Sequence, residues 1–191
     1  LVFSNFLSIF APELRDKGTI FDMETNNSMN KSIDNQFNMY MMIGLPGSGK
    51  DTFISTYLKD IEVICRDSIR EELTDGQILG RKLYLDKEGE DKVTETVYQR
   101  INDCCKQRKS FVINQTNINK EKRLEIRDYA INVNLDSRPK VIYIEIKTDS
   151  FETCIERRNK GIWVDIINKM NDNYQRPTEE EYDEYILNYQ K

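Results

Sequence analysis

Met39-Tyr40-Met41-Met42-Ile43-Gly44-Leu45-Pro46-Gly47-Ser48-Gly49-Lys50-Asp51-Thr52-Phe53 is the stretch that decides how this chain is read. Its first five residues form a short apolar run and predict a buried strand. The run enters a loop with glycines at 44, 47 and 49 and leaves it into a helical segment. Gly44, Gly49 and Lys50 stand in the G-x-x-x-x-G-K spacing of a phosphate-binding loop. Glycines let successive backbone N–H groups turn inward around phosphate oxygens, and the helix that follows points its N-terminus at the same anion. Lys50 adds a point charge on the terminal phosphates. Gly44, Leu45, Pro46, Gly47, Ser48, Gly49 and Lys50, followed by Asp51 and Thr52, are therefore the expected NTP site. The residue after the lysine is Asp51, where a Ser or Thr hydroxyl usually holds magnesium. Asp51 could ligate the metal by its carboxylate, or Thr52 could substitute.

Composition sets the outer bounds. A chain of 191 residues fits one domain plus an extension. With 38% hydrophobic and 32% charged residues it has a globular composition on the polar side. The net charge of -5 excludes a broadly basic nucleic-acid coat, so any nucleic-acid contact must come from a local basic patch. No apolar run approaches the ~20 residues of a membrane span, and the start has no basic n-region of a signal peptide. Cys65, Cys104, Cys105 and Cys154 show no C-x-x-C spacing, which predicts reduced thiols and a cytoplasmic protein. The chain has no histidine. Ser-His-Asp triads and histidine metal sites are thereby excluded, and any general base must be a carboxylate, lysine, tyrosine or cysteine.

Residues 1–38 differ from the rest. Leu1–Phe10 is apolar with helical spacing at Phe3, Phe6, Leu7 and Phe10, and Glu24–Asn35 is polar and Asn-rich with linker character. The chain begins at Leu1 rather than Met. The expectation is an N-terminal extension or linker from an upstream domain, with a helix that folds back onto the main domain as the alternative. Residues 39–191 are expected to form the main domain. There, strand and helix alternate: strands at 39–43, 61–65, 110–113 and 141–146, and helices at 51–60, 67–73, 90–108, 120–132, 149–158 and 164–174. Continuous apolar strands alternating with helices predict an α/β three-layer sandwich around a mainly parallel sheet.

In such sheets the ligand lies beyond the carboxyl ends of the strands. After the second strand comes Cys65-Arg66-Asp67-Ser68-Ile69-Arg70. Asp67 suits a base that orients an attacking hydroxyl, and Arg70, one turn on, suits a phosphate on the acceptor. The other reading is that Asp67 caps the helix and Arg70 pairs with a surface acid. After the third strand comes Asn114-Gln115-Thr116-Asn117, where P-loop proteins often carry a magnesium-holding Asp. These amides can bond phosphate or ribose but carry no charge, which throws more of the metal shell onto Asp51. Glu156-Arg157-Arg158-Asn159-Lys160-Gly161 is a basic cluster leading into glycine and predicts a lid that closes on phosphates.

With these residues placed, the chain resembles the P-loop polynucleotide kinase family, the 5′-hydroxyl kinases of phage and of nucleic-acid repair. The resemblance runs from about Met39 to Ile186. It is carried by Gly44-Leu45-Pro46-Gly47-Ser48-Gly49-Lys50, Arg66-Asp67-Ser68-Ile69-Arg70, Gln115-Thr116-Asn117-Ile118-Asn119 continuing to Arg123, Arg157-Arg158-Asn159, and Arg176-Pro177-Thr178-Glu179-Glu180-Glu181-Tyr182-Asp183. The resemblance implies a P-loop kinase sheet in the order 2-3-1-4 and transfer of the γ-phosphate of ATP or another NTP, with Mg2+, to 5′-hydroxyl ends of RNA or DNA. It implies that Lys50 stabilises the transferring phosphate, that Asp67 is the general base, and that Arg70 holds an acceptor phosphate. Arg158 or Lys160 would reach the donor's phosphates, and Gln115, Thr116 and Asn117 would face the acceptor. A neighbouring phosphatase or ligase domain is the partner it implies, with no membrane. Asp51 and a short lid depart from the family's pattern. Two other classes stay open: a small-molecule kinase, such as one for nucleoside monophosphates, and a non-catalytic NTP-binding module.

Overall fold

The computed structural model describes residues 36–74, 85–134 and 137–190. The expectations for residues 1–35 lie outside the described residues. In chain order the elements are β1 (Asn38–Ile43), α1 (Lys50–Tyr57), β2 (Glu62–Cys65), α2 (Arg66–Leu73), α3 (Lys87–Gln107), β3 (Phe111–Asn114), α4 (Lys120–Asn132), β4 (Lys140–Thr148), α5 (Phe151–Arg157), α6 (Trp163–Asp172), a 3-10 turn (Glu179–Glu181) and β5 (Glu184–Gln190).

Five parallel strands form one sheet in the order β2-β3-β1-β4-β5. The expected order 2-3-1-4 holds, and β5 extends the sheet beyond β4. β5 was not anticipated from sequence, for a physical reason. Glu184-Tyr185-Ile186-Leu187-Asn188-Tyr189-Gln190 is an edge strand, and only Asn188 in it is buried. It therefore lacks the continuous apolar run that marks a central strand.

Both faces of the sheet are covered, as its two-residue side-chain period requires. Met39, Met41 and Ile43 join Ile64, Phe111, Ile113, Val141 and Tyr143 in one buried cluster with α3 and α4 residues. Tyr40, Met42, Val112, Ile142 and Ile144 alternate with them and are also buried. α3 forms because Asp86 caps its start, accepting from Gly89 N–H at 2.9 Å. Its buried residues Val93, Val97, Ile101, Cys104 and Cys105 recur on one face, and Arg108 closes it in the left-handed region. All four cysteines are free. Burial pushes the Cys104 thiol up to about 11 and the Cys105 thiol up to about 12, which keeps both protonated at neutral pH.

A second fastening runs from α4 to the C-terminal segment. Arg123 and Glu181 are fully buried and paired, with Nε to Oε2 at 2.7 Å. Arg123 also donates to the carbonyls of Asn117 at 3.0 Å and Gln175 at 2.9 Å. Glu181 accepts in turn from Thr178, its partner in a capping box. The Thr178-x-x-Glu181 pattern is thus part of the scaffold that holds the loop after β3. No helix among the described residues is long and apolar enough to cross a membrane.

Candidate active site

The strands end in register. Met42 of β1 and Cys65 of β2 both lie opposite Asn114 of β3. The loops that follow therefore open on the same side of the sheet. Between them lies a cavity of about 1060 Å³, bordered by Lys50, Asp51, Asp67, Arg70, Gln115 and Arg158 among others. These groups come from four separate stretches of sequence.

The glycine loop is held tightly from behind. Gly44 N–H donates to Thr116 O at 3.0 Å, which ties the loop to the end of β3. At Gly47, with φ of 84°, a Cβ would meet Cys154 O at 2.7 Å, so the loop's close approach to α5 requires glycine. α1 begins at Lys50, and the first N–H groups of a helix have no intrahelical acceptor. Lys50 is buried, and its ammonium donates to Gly44 O and Leu45 O at 2.9 Å each. Burial pushes its pKa down to about 8, with the Asp51 carboxylate opposing the shift. Pro46, Gly47, Gly49, Asp51 and Thr52 border the same cavity. Leu45 and Ser48 instead border a smaller cavity of about 320 Å³.

Asp51 has a partner that the sequence did not announce. Asn114 Nδ2 donates to its Oδ1 at 2.8 Å. The amide that stands where an acid was expected thus orients the acid on α1. Asp51 and Thr52 are both exposed and border the cavity.

At another part of the cavity's border, α2 starts directly from β2, with Cys65 at the N-cap position and no side-chain cap bond. Asp67 is not the cap. Its carboxylate is 81% exposed and 2.5 Å from Arg70 Nη1. Arg70 is nearly buried and fixed by α3, donating through Nε to Glu90 at 2.7 Å and through Nη2 at 3.0 Å. Arg66 Nη2 also reaches Glu90, at 2.9 Å. Glu90 is the organising residue that sequence reading missed. In the sequence it is one of several acids at the start of an amphipathic helix, and only the packing of α2 on α3 singles it out. The hydrogen bond from Arg70 holds its carboxyl at about 2, well below the usual range, with burial opposing.

Asn117 and Lys160, also expected at the site, stand outside the lining too. Asn117 adopts φ of 48°, is buried, and turns its amide inward to donate to Met42 O at 2.7 Å. That bond satisfies a strand-end carbonyl and shapes the loop in which Gln115 and Thr116 face the cavity. Lys160 also lies outside the lining. Asn159, Lys160 and Gly161 have φ of 60°, 56° and 62°, a tight left-handed turn between α5 and α6 rather than an extended loop. Arg157 and Arg158 are the basic residues of this segment that border the cavity. Arg157 Nη1 lies 3.3 Å from Gly47 O, and the Arg158 guanidinium sits over the Trp163 ring, 4.7 Å from its centroid.

The fold is shared with solved kinases. One similar chain belongs to the Pnkp1/Rnl/Hen1 RNA repair complex (TM-score 0.55, 19% identity, covering 78% of this chain and 45% of that one). Another is a gluconokinase from Sinorhizobium meliloti 1021 (TM-score 0.51, 14% identity, 81% and 83% covered). A third is the APS kinase CysC of Mycobacterium tuberculosis (TM-score 0.51, 16% identity, 80% and 88% covered). Among curated proteins, none matches. Residues 39–177 match the AAA domain family. The chain therefore belongs to the AAA domain family and carries a P-loop kinase-like domain, a fold that implies nucleotide binding.

Proposed function

We propose that this chain is a kinase that transfers the γ-phosphoryl group of ATP, or of another NTP, to the 5′-hydroxyl end of RNA or DNA in nucleic-acid repair. Asp67 carries the reading: an exposed carboxylate sharing one cavity with Lys50, braced by an arginine that is itself fixed from α3. In-line phosphoryl transfer asks the protein for positioning and charge neutralisation more than for covalent chemistry. Asp67 takes the proton of the 5′-hydroxyl as its oxygen bonds to the γ-phosphorus. The bond to the β–γ bridging oxygen breaks, and the nucleoside diphosphate leaves. Lys50 and Arg158 neutralise the donor's phosphates. Arg70, Gln115 and Thr116 hold the acceptor strand.

Asp51, with Thr52 beside it, would hold the magnesium. Among the described residues no group of three or more His, Cys, Asp or Glu converges on a metal. That suits an ion bound through one carboxylate, substrate phosphates and water rather than an all-protein cage. When bound, such an ion would help to neutralise the charge of the donor's phosphates. The similarity to a chain of an RNA repair complex supports the nucleic-acid acceptor.

A small-molecule kinase is the second reading. Its support is coverage: the chain spans 83% of the gluconokinase and 88% of the APS kinase, but 45% of the repair-complex chain. One experiment separates the two. Labelled γ-phosphate from ATP is offered, with magnesium, to a 5′-hydroxyl oligoribonucleotide, a deoxynucleoside monophosphate and gluconate, each with wild type and Asp67→Ala. Label on the oligonucleotide, lost in Asp67→Ala while ATP binding persists, is the expected result. Label only on a small acceptor overturns the nucleic-acid reading. Loss of ATP binding in a folded Asp67→Ala protein overturns the base assignment.

A further inference from the structure

One wall of the cavity is apolar, and it belongs to α6. Trp163, Ile166 and Met170 border the cavity. At i, i+3 and i+7 they form one stripe of the helix. The helix is anchored by Ile167, which is buried with Leu45, Cys154 and Ile155, and Ile118 packs against the same cluster. Ile118 follows the Gln115–Asn117 loop directly, so the stripe stands beside the acceptor side of the cavity. Arg66, Asp67 and Arg70 border the same cavity. A small oxyanion presents hydrogen-bonding groups on all sides and gains little from an indole, a thioether and a branched aliphatic chain. A flat base with an anionic backbone matches both sets of side chains.

The indole already holds a flat group, the guanidinium of Arg158. Such a stack is a cation–π contact that a base can replace on the same face. Arg158 lies beside the phosphate loop, since a Cβ on Gly47 would come within 3.4 Å of its Cγ. A guanidinium released from the indole is therefore next to the donor's phosphates.

We propose that Trp163, flanked by Ile166 and Met170, is the stacking platform for the nucleobase of the acceptor's 5′-terminal nucleotide, and that the base takes the place of Arg158 on the indole. This rests on the nucleic-acid acceptor reading and adds to it the residue that reads the acceptor as a nucleotide.

Trp163 is the chain's one tryptophan, so indole fluorescence reports on this wall directly. The full chain is saturated with magnesium and inorganic tripolyphosphate, which fills the phosphate loop without supplying a base. It is then titrated with a 5′-hydroxyl oligoribonucleotide and with the same strand carrying an abasic 5′-terminal residue. Quenching by the first, none by the second, and ~10-fold or weaker affinity for the abasic strand are expected. In transfer assays Trp163→Leu raises KM for the base-bearing strand on the order of 10-fold, with little change in kcat, and Trp163→Phe restores most of the loss. KM for the abasic strand is unchanged by Trp163→Leu. Equal quenching by both strands, quenching by neither, or an equal KM rise for both overturns the proposal. So does quenching by ATP alone with no response to either acceptor, which assigns the indole to the donor's base. The abasic comparison uses wild type and stands even where Trp163→Leu does not fold. If wild type labels no oligonucleotide, the polynucleotide reading fails separately. Quenching by a nucleoside monophosphate but not by gluconate then still supports the platform, and quenching by neither overturns it.

Discussion

Glu90 of α3 holds Arg70 of α2 at two points, Oε1 to Nε at 2.7 Å and Oε2 to Nη2 at 3.0 Å. The pairing fixes the arginine that in turn bonds Asp67. It also makes stability depend on acid in a defined direction. The Glu90 carboxyl titrates at about 2 in the folded protein against an ordinary 4.5. Its folded pKa is depressed, so its contribution is fully present above about pH 5 and is lost as pH falls through 4.5 toward 2. The shift corresponds to a contribution on the order of 3 kcal/mol. Urea unfolding of wild type and Glu90→Gln should show a stability gap that is constant from pH 7 to 5 and shrinks steadily below. A gap independent of pH would mean that the charge on Glu90 does not hold the two arginines.

The Lys50 ammonium sets a limit at the alkaline side. Its folded pKa of about 8 is lowered by burial, so the free protein loses this charge as pH rises through that value. A bound triphosphate favours the charged form, so binding takes up a proton once the lysine is neutral. ATP affinity should be flat below about pH 7 and should fall by up to tenfold per unit above 8. Calorimetry in two buffers of different ionisation enthalpy at pH 8.5 should show proton uptake, absent at pH 6.5 and absent at both in Lys50→Met.

The bond from Asn114 to Asp51 gives the metal proposal its sharpest test. A neutral amide that orients a ligand carboxylate acts on metal affinity through that ligand, typically by about 10- to 100-fold when removed. Asn114→Ala should therefore raise the magnesium concentration for half-maximal transfer by about 10-fold. Asp51→Ala should raise it further, and combining the two should add little. ATP binding measured without metal should change little in Asn114→Ala. Full additivity of the two substitutions would separate Asn114 from the metal site.

The parts of this design that were legible in sequence are those written in local patterns. Met39–Ile43 and the glycine spacing after it announce a central strand and its phosphate loop, because close packing and backbone approach restrict the residue types there. Asp67 and Arg70 follow from their place after a strand. Glu90, Asn114 as a partner of Asp51, and Trp163 as a cavity wall are long-range relationships. Glu90 reaches Arg70 across 20 residues, and Asn114 reaches Asp51 across 63. Nothing at positions 90, 114 or 163 differs locally from a solvated acid, a strand-end amide or an ordinary helix-packing aromatic. Asn117 was misplaced for the converse reason. It sits in the right loop, but its left-handed backbone turns the side chain inward.

Arg123 and Glu181 bear on both the fold and the cavity. Their ion pair is fully buried, and Arg123 spends a second nitrogen on the carbonyls of Asn117 and Gln175. Removing one member of such a pair strands the other charge away from water and costs about 3–5 kcal/mol. Replacing both by apolar residues avoids the stranded charge. Arg123→Met and Glu181→Leu should each lower the urea midpoint strongly, and the double variant should be more stable than the sum of the single losses implies, with a coupling of about 2–3 kcal/mol. The double variant still leaves the Asn117 carbonyl without its donor. The loop carrying Gln115 and Thr116 is therefore less well fixed, and KM for the acceptor should rise while ATP affinity stays near that of wild type. Unfolding curves for the four proteins give the coupling, and transfer kinetics give the second effect. Additive stability losses would mean that the pair does not act as a unit, and an unchanged acceptor KM would detach the buried clamp from the cavity it borders.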